Sequence, residues 1–327
     1  MRSGTLVAGL ALLVAAAIPL LTRNAYYLDV MIMCFIWAIA ASGMNVLLGY
    51  TGLLSLAHAA FFGVGAYTVG VLMVRMDWSF WLALPAGCLL AALLGGLFGL
   101  VAFRTRGDAF AIFTLAVGVI VTSVIARWEA VTGGRDGLNG IPRPGPLGPI
   151  NFDDSRAYYY LALAGLVLAL YVIASVVRAP VGRAFVAVRS NEDLARASGI
   201  NTFVHKERAL VLSTAVAGLA GGLYAAYLGF LGPSATGVNT TFTLLLYLIV
   251  GGVGTLAGPV LGTVVIVILS QLLQSFQDYQ LLIFGPLLVV LVRFFPRGLM
   301  GLWFRLTKRP GRPTPAAPAV PAAGREG

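Results

Sequence analysis

The sequence predicts an all-α polytopic membrane protein of about ten transmembrane or re-entrant helices, with both termini cytoplasmic. Three observations lead there. Of 327 residues, 59% are hydrophobic and 10% are Asp, Glu, Lys or Arg, where an ordinary globular chain carries about 25% charge. So few charges cannot cover a water-facing surface. The charges are also clustered, leaving charge-free stretches at 3–22, 30–74, 78–103, 109–126, 157–177, 209–277 and 279–292. A charge at mid-bilayer costs about 2.5–3.5 kcal/mol even on the lenient insertion scale, so these stretches mark what lies in lipid. Finally, the basic residues alternate in density from loop to loop, which sets an orientation.

Taken in order, stretch 3–22 supplies one span. Its Ala15-Ala16-Ala17 could sit near a secretory cleavage site, but cleavage would leave an odd number of spans with opposed loop charges, so an uncleaved span is expected. Stretch 30–74 is twice the length of a span of about 20 residues and must fold back once, at Gly49-Tyr50-Thr51-Gly52. Stretches 78–103, 109–126 and 157–177 give one span each. Stretch 209–277 must fold back twice, at Leu231-Gly232-Pro233-Ser234 and at Gly251-Gly252-Val253-Gly254. The last stretch is short and holds Gly285-Pro286; it is a short or re-entrant helix unless Arg293 snorkels and lets Phe294 and Phe295 extend it.

With the N-terminus inside, Arg2, Arg104, Arg106 and the clusters in 178–208 and 293–325 face the cytoplasm, which places 16 of the 22 basic residues there. The net charge of +10 therefore follows from topology and needs no nucleic-acid partner. Outside the membrane lie three segments. Residues 129–156 form an external loop whose Gly133-Gly134, Gly137 and Pro142, Pro144, Pro146 and Pro149 oppose regular helix and make it a candidate docking surface. Residues 179–206 form the main cytoplasmic loop. The membrane domain ends near 307, and 308–327 is a Pro-, Ala- and Gly-rich disordered tail.

Within the cytoplasmic loop, Ser190-Asn191-Glu192-Asp193 reads as a helix start, with Ser190 as cap and Asp193 three residues on. Glu192 and Arg196 are spaced for an i,i+4 ion pair, and Gly199 can end the helix in the left-handed conformation. Leu194, Ala197 and Ile200 then share a face. Such a helix either inserts into a groove on a cytoplasmic partner or is an ordinary solvated loop helix.

Four ordered segments carry a family resemblance. They are Asn45 through Gly63 (NVLLGYTGLLSLAHAAFFG), then Thr132-Gly133-Gly134 with Asp136-Gly137-Leu138 and Gly140-Ile141-Pro142, then Gly182-Arg183-Ala184 through Arg189, Glu192-Asp193 and Gly199-Ile200-Asn201 to Tyr224, and Gly251 through Pro259 (GGVGTLAGP). Together they resemble the branched-chain amino-acid ABC transporter permeases of the LivM type over about residues 31 to 300. The resemblance implies a permease subunit in a bacterial cytoplasmic (inner) membrane, paired with a second, related permease. Two cytoplasmic ATPase subunits bind below, and a periplasmic substrate-binding protein delivers branched-chain or related hydrophobic amino acids from above. Urea, short amides or another small neutral solute is the alternative cargo. The same resemblance makes 190–199 a coupling helix, with Arg189, Glu192, Asp193, Leu194, Arg196, Ala197 and Gly199 as ATPase-coupling residues. The importer pattern of Glu followed by two alanines is absent, since Asp193 and Leu194 follow Glu192.

No GxxxxGK[ST] phosphate loop occurs, so ATP would be used by partner subunits and no cofactor is expected in this chain. Glycines four apart (Gly95 and Gly99; Gly218 and Gly222; Gly254, Gly258 and Gly262) suit close helix packing in lipid. The interruptions at Gly49–Gly52 and Gly251–Pro259 are either turns at the interface or broken helices lining a path. Asn45, Tyr50, Thr51, Ser55, His58 and Thr255 are the polar candidates for that path. For His58 a structural hydrogen bond competes with substrate contact, and no nucleophile or ligand set accompanies it. Cys34 and Cys88 lie in apolar runs and read as small buried hydrophobes. Apart from His58 the spans hold no ionisable group of the kind gradient-driven carriers commonly use, which favours a motor on another polypeptide over a secondary carrier.

Overall fold

The computed structural model describes residues 2–21, 24–105, 107–272 and 298–301. The expected last span at 279–292 and the tail at 308–327 lie outside the described residues. The chain is helical almost throughout: α1 (Arg2–Leu21), α2 (Ala25–Asn45), α3 (His58–Arg75), α4 (Phe80–Ala102), α5 (Asp108–Arg127), α6 (Glu129–Thr132), α7 (Ser155–Arg178), α8 (Pro180–Ser190), α9 (Glu192–Ala197), α10 (Thr202–Leu228), α11 (Val238–Gly251) and α12 (Gly258–Leu272).

Side-chain caps fix where the long helices begin. The side chain of Asn24 accepts from the Tyr26 N–H at 3.0 Å, Asp154 from Arg156 at 3.1 Å and Asn201 from Val204 at 3.2 Å. Each satisfies a donor that the first helical turn leaves unpaired. At the far end of α10, Gly229 takes a left-handed φ of +71° and closes the helix on the Ala225 carbonyl.

Among the described residues, six helices are long and apolar enough to cross a membrane: Ala25–Tyr50, His58–Arg75, Phe80–Ala102, Asp108–Arg127, Ser155–Arg178 and Thr202–Leu228. This is a multi-pass membrane protein. Of the about ten transmembrane or re-entrant helices expected, these six are the full-length spans among the described residues; α11, with 14 residues, reaches about 21 Å at 1.5 Å per residue, short of a hydrocarbon core of about 30 Å, and α12 is described as far as Leu272. The chain does fold back where the charge-free stretches were too long, at 52–57, 229–237 and 252–257.

Helices α2, α3 and α10 form the buried centre, while α4, α5 and α7 line the outside. The outer helices turn Leu82, Leu89, Leu93, Ile112, Ile120, Leu168 and Tyr171 outward, an apolar girdle suited to lipid. Glycine sets the closeness of the centre. A β-carbon on Gly65 of α3 would lie 2.5 Å from the Gly218 carbonyl oxygen of α10, and one on Gly218 would lie 2.8 Å from the Ala91 β-carbon of α4. Gly222 faces Leu84 and Val69, and Gly95 and Gly99 face Thr214 and Glu207. The expected small-residue packing is therefore found on α4 and α10, which have no room for a larger side chain. Gly258 and Gly262 play the same part between α11 and α12, but Gly254 lies outside any helix with a φ of +80°. Cys34 is buried and Cys88 partly buried; both are free thiols.

At one end of the bundle, the segment after α5 departs from the helix-free loop expected of it. One turn of helix, α6, and a 3-10 turn at Gly134–Asp136 precede the prolines. Strand β1 (Leu138–Asn139) then pairs antiparallel with β2 (Phe230–Leu231), Leu138 opposite Leu231. The Tyr67 hydroxyl donates to the Leu231 carbonyl at 3.1 Å, and the Ile141 N–H to Gly229 at 3.1 Å. These bonds seat the loop on α3 and α10. Nearby, the Tyr227 hydroxyl donates to Asp29 at 2.6 Å, with the Arg143 guanidinium 5.8 Å from the Tyr227 ring centre.

Candidate functional site

At the opposite end, α2 does not stop at Asn45. A π-helical turn, Val46–Tyr50, carries it on, and single π turns inside helices concentrate at functional positions. The Thr51 hydroxyl bonds back to the Val46 and Leu47 carbonyls at 3.1 and 2.6 Å, and the Leu53 N–H returns to Leu47 at 3.0 Å. The reversal thus starts at Gly52, with a φ of +76°, later than the Gly49–Gly52 turn expected from the sequence. The reason is that Thr51 supplies the carbonyls of the last turn with a donor and keeps the chain helical through Tyr50.

From Gly52 the backbone runs irregularly back into the bundle. Helix α3 begins at His58, whose Nε2 sits 3.0 Å from the Ala40 carbonyl of α2. Ala40 precedes Tyr50 by ten residues, so α3 starts about 15 Å inside the end of α2 at 1.5 Å per residue. Segment 52–57 is irregular backbone that returns alongside α2 with protein around it, the setting in which such backbone is tolerated. Neighbouring helices supply partners: Thr114 of α5 accepts from the Leu56 N–H at 3.0 Å and Thr241 of α11 from Ala59 at 3.2 Å. His58 is fully buried, with the Ser213 hydroxyl 3.5 Å from Nδ1. Its ring bridges α2, α3 and α10. The hydroxyls of Ser42 and Ser55 are buried without a hydrogen-bond partner among the described residues.

The second interruption, 252–257 between α11 and α12, lies against the first. Asn45 joins them with both ends of its amide: Nδ2 donates to the Thr255 carbonyl at 2.8 Å, and Oδ1 accepts from the Gly254 N–H at 2.8 Å. A β-carbon on Gly49 would lie 2.7 Å from the Gly254 nitrogen, so the two backbones touch. Thr255 turns its own hydroxyl to the Gly252 carbonyl at 2.9 Å and accepts from the Gly258 N–H at 3.1 Å, capping α12.

Arg189, in the last turn of α8, reaches this junction. Its Nη1 donates to the Gly49 carbonyl. Its stem lies over Gly52, where a β-carbon would come 2.9 Å from Cγ, and its guanidinium over Gly254, where one would come 2.8 Å from Nη1. Helix α8 buries Gly182, Ala184, Phe185 and Val188 against the bundle and runs through Ser190.

The expected cap at Ser190 is corrected here. The Ser190 hydroxyl donates to the Val186 carbonyl at 2.9 Å within α8, and Asn191 caps α9 by accepting from Leu194 at 3.0 Å. Helix α8 claims Ser190, so the boundary shifts by one residue and Asp193 forms no capping box. The end of α9 is as expected: Gly199 is left-handed at φ +83°, its N–H bonded to Arg196 and that of Ile200 to Ala195, each at 3.0 Å. Leu194 is 65% exposed and Ala197 is exposed, while Ala195 is the buried residue of α9.

Charges tie α9 to the start of α10. Arg196 pairs with Glu192 at 3.1 Å and lies 3.7 Å from Asp193. Lys206, buried in α10, places Nζ 2.5 Å from Glu192, and the Thr202 hydroxyl joins the same carboxylate at 3.3 Å. The sequence-derived residues thus fall into two groups. Asn45, Thr255 and Arg189 meet at the paired interruptions, whereas Glu192, Asp193, Leu194, Arg196, Ala197 and Gly199 belong to α9. Tyr50 and Thr51 close α2 beside the first group, and Ser55 and His58 lie deeper. Sequence reasoning missed Lys206, and it named the segments holding Gly49 and Gly254 without bringing them together. A lysine four residues after Thr202, just before a long apolar run, was the one available signal.

A family model described as the permease component of branched-chain amino acid transport systems matches residues 26–292. The high-affinity branched-chain amino acid transport system permease proteins LivM of Salmonella typhimurium and Escherichia coli are each 32% identical to this chain over 311 residues, 88% of it and 73% of their own length. The corresponding LivH protein of Salmonella typhimurium is 23% identical over 286 residues, 81% of this chain and 91% of its own. No solved structure matches. The family match covers the spans, both interruptions and the α8–α9 segment, and the chain belongs to the branched-chain amino acid transport permease family.

Proposed function

We propose that this chain is a membrane-spanning subunit of an ABC importer for branched-chain or related hydrophobic amino acids in a bacterial inner membrane. It pairs there with a second permease, two cytoplasmic ATPases and a periplasmic binding protein. The cargo follows that of the named relatives, and the pairing follows the likeness to both LivM and LivH. The cytoplasm lies on the side of the basic 178–208 segment, with the loop at 129–156 outside. ATP is used by the partners, and this chain needs no cofactor.

One observation carries the motor-driven reading. Helix α9 holds its charges in a network with Lys206 and Thr202, yet presents Leu194 and Ala197 outward. An apolar ridge on a braced helix at the basic end suits a groove on a cytosolic ATPase. Arg189, Glu192, Asp193, Leu194, Arg196, Ala197 and Gly199 are assigned to that contact and its support. Asn45, Tyr50, Thr51, Ser55 and Thr255 are assigned to the walls of the path, at the two interruptions. His58 braces those walls.

The test is reconstitution in proteoliposomes with both permeases, the ATPases and the binding protein. Uptake of labelled leucine should require internal ATP and all components, and urea should not compete. Uptake by this chain alone, driven by a proton or sodium gradient, would contradict the proposal.

A further inference from the structure

We propose that Asn45 and Arg189 are positioning residues that bracket the two helix interruptions into one body and fasten that body to α8, so that displacement of the cytoplasmic segment reaches both interruptions together. This rests on the reading of the chain as an ATP-driven permease.

The geometry has three parts. Asn45 uses its donor and its acceptor on one target, the Gly254–Thr255 peptide region, each at 2.8 Å. A side-chain amide satisfied at both ends fixes position and orientation, and buried polar groups are costly to leave unpaired. Arg189 spans the seam, bonding the Gly49 carbonyl while lying against Gly52 and Gly254. Arginine suits this because its planar, permanently charged fork loses little freedom on binding. Glycine stands on both sides where the two backbones meet, Gly49 against Gly254, with the Asn45 amide and the Arg189 guanidinium beside them. The body so formed joins the α2–α3 and α11–α12 pairs, which are remote in sequence.

The connection outward is short. Arg189 stands in the last turn of α8, and Asn191 alone separates α8 from α9. Tilting α9 therefore moves the carrier of Arg189, with no flexible linker to absorb the motion. Packed elements of this kind transmit displacement because they shift between discrete arrangements and do not deform continuously.

The complete transporter carrying Asn45→Ala, Arg189→Met or both tests the bracket. The readout is solute imported per ATP hydrolysed, normalised to assembled complex. Each single variant should lower that ratio about tenfold, and the double variant should fall no further, because both substitutions open one linkage. Hydrogen exchange on the same chain in lipid nanodiscs gives a readout independent of transport. Segment 252–257 should exchange at least tenfold faster in Asn45→Ala and also in Arg189→Met. An unchanged ratio in the single variants would overturn the bracket, as would multiplicative losses in the double variant. So would exchange in 252–257 that ignores Arg189, or variants that lose assembly and transport in parallel. Import by the unaltered complex separately tests the permease reading, and the exchange measurement decides the bracket whatever that control shows.

Discussion

Gly65 and Gly218 let α3 and α10 approach until a single methyl group has no room. Gly65→Ala should destabilise the protein by about 1–3 kcal/mol, the usual cost of overpacking a dense interior. Gly145, with open space around its missing β-carbon, provides the matched control. A thermal aggregation series in detergent should show a lowered midpoint for Gly65→Ala and none for Gly145→Ala. His58 makes a different residue-scale prediction. Its bonds run to Ala40 and Ser213, so His58→Ala should cost about 1–3 kcal/mol through the unpaired groups it leaves. The leucine concentration for half-maximal uptake should stay within twofold of wild type. A large shift in that concentration without loss of stability would make His58 a substrate contact.

At the scale of elements, α9 is the part whose role is most open to direct test. Gly199 ends it in a conformation that costs a residue bearing a β-carbon about 1–2 kcal/mol. Gly199→Val should weaken co-purification of the ATPase subunits at least fivefold while membrane insertion stays near wild type. Leu194→Asp, on the exposed ridge, should do the same without touching the helix end. Wild-type association in both variants would leave α9 an ordinary loop helix. The sequence made these elements unequally visible. Spans α3, α4, α5 and α7 were legible because a single charge in lipid is expensive, so charge-free stretches map onto them. The end of α9 was legible because Gly199 combines a breaker with helical spacing before it. The start of α9 was not, since Ser190 and Asn191 are both good caps and the choice depends on how far α8 packs into the bundle. The depth of segment 52–57 was hidden for a related reason. Gly49 and Gly52 look alike in an interface turn and in a buried return, and only Thr114, Thr241 and His58, contributed by other helices or by the return itself, distinguish the two. The meeting of Asn45 with Gly254 spans 209 positions and had no local signature beyond an amide in an apolar run.

The described residues form a core of α2, α3 and α10 wrapped by helices with apolar outer faces, with the braced α8–α9 element at one end and a docked loop at the other. Among the charges in the described spans, Asp29 lies in the first turns of α2, and Lys206, Glu207 and Arg208 in the first turns of α10. In the proposed importer, energy enters through the partner that α9 meets. The most direct measurement compares leucine uptake into proteoliposomes by the complete transporter, by the complex carrying Leu194→Asp, and by this chain alone. The account predicts ATP-dependent accumulation for the first, at least a fivefold loss for the second and none for the third. Accumulation by the isolated chain, or full activity with Leu194→Asp, would contradict it.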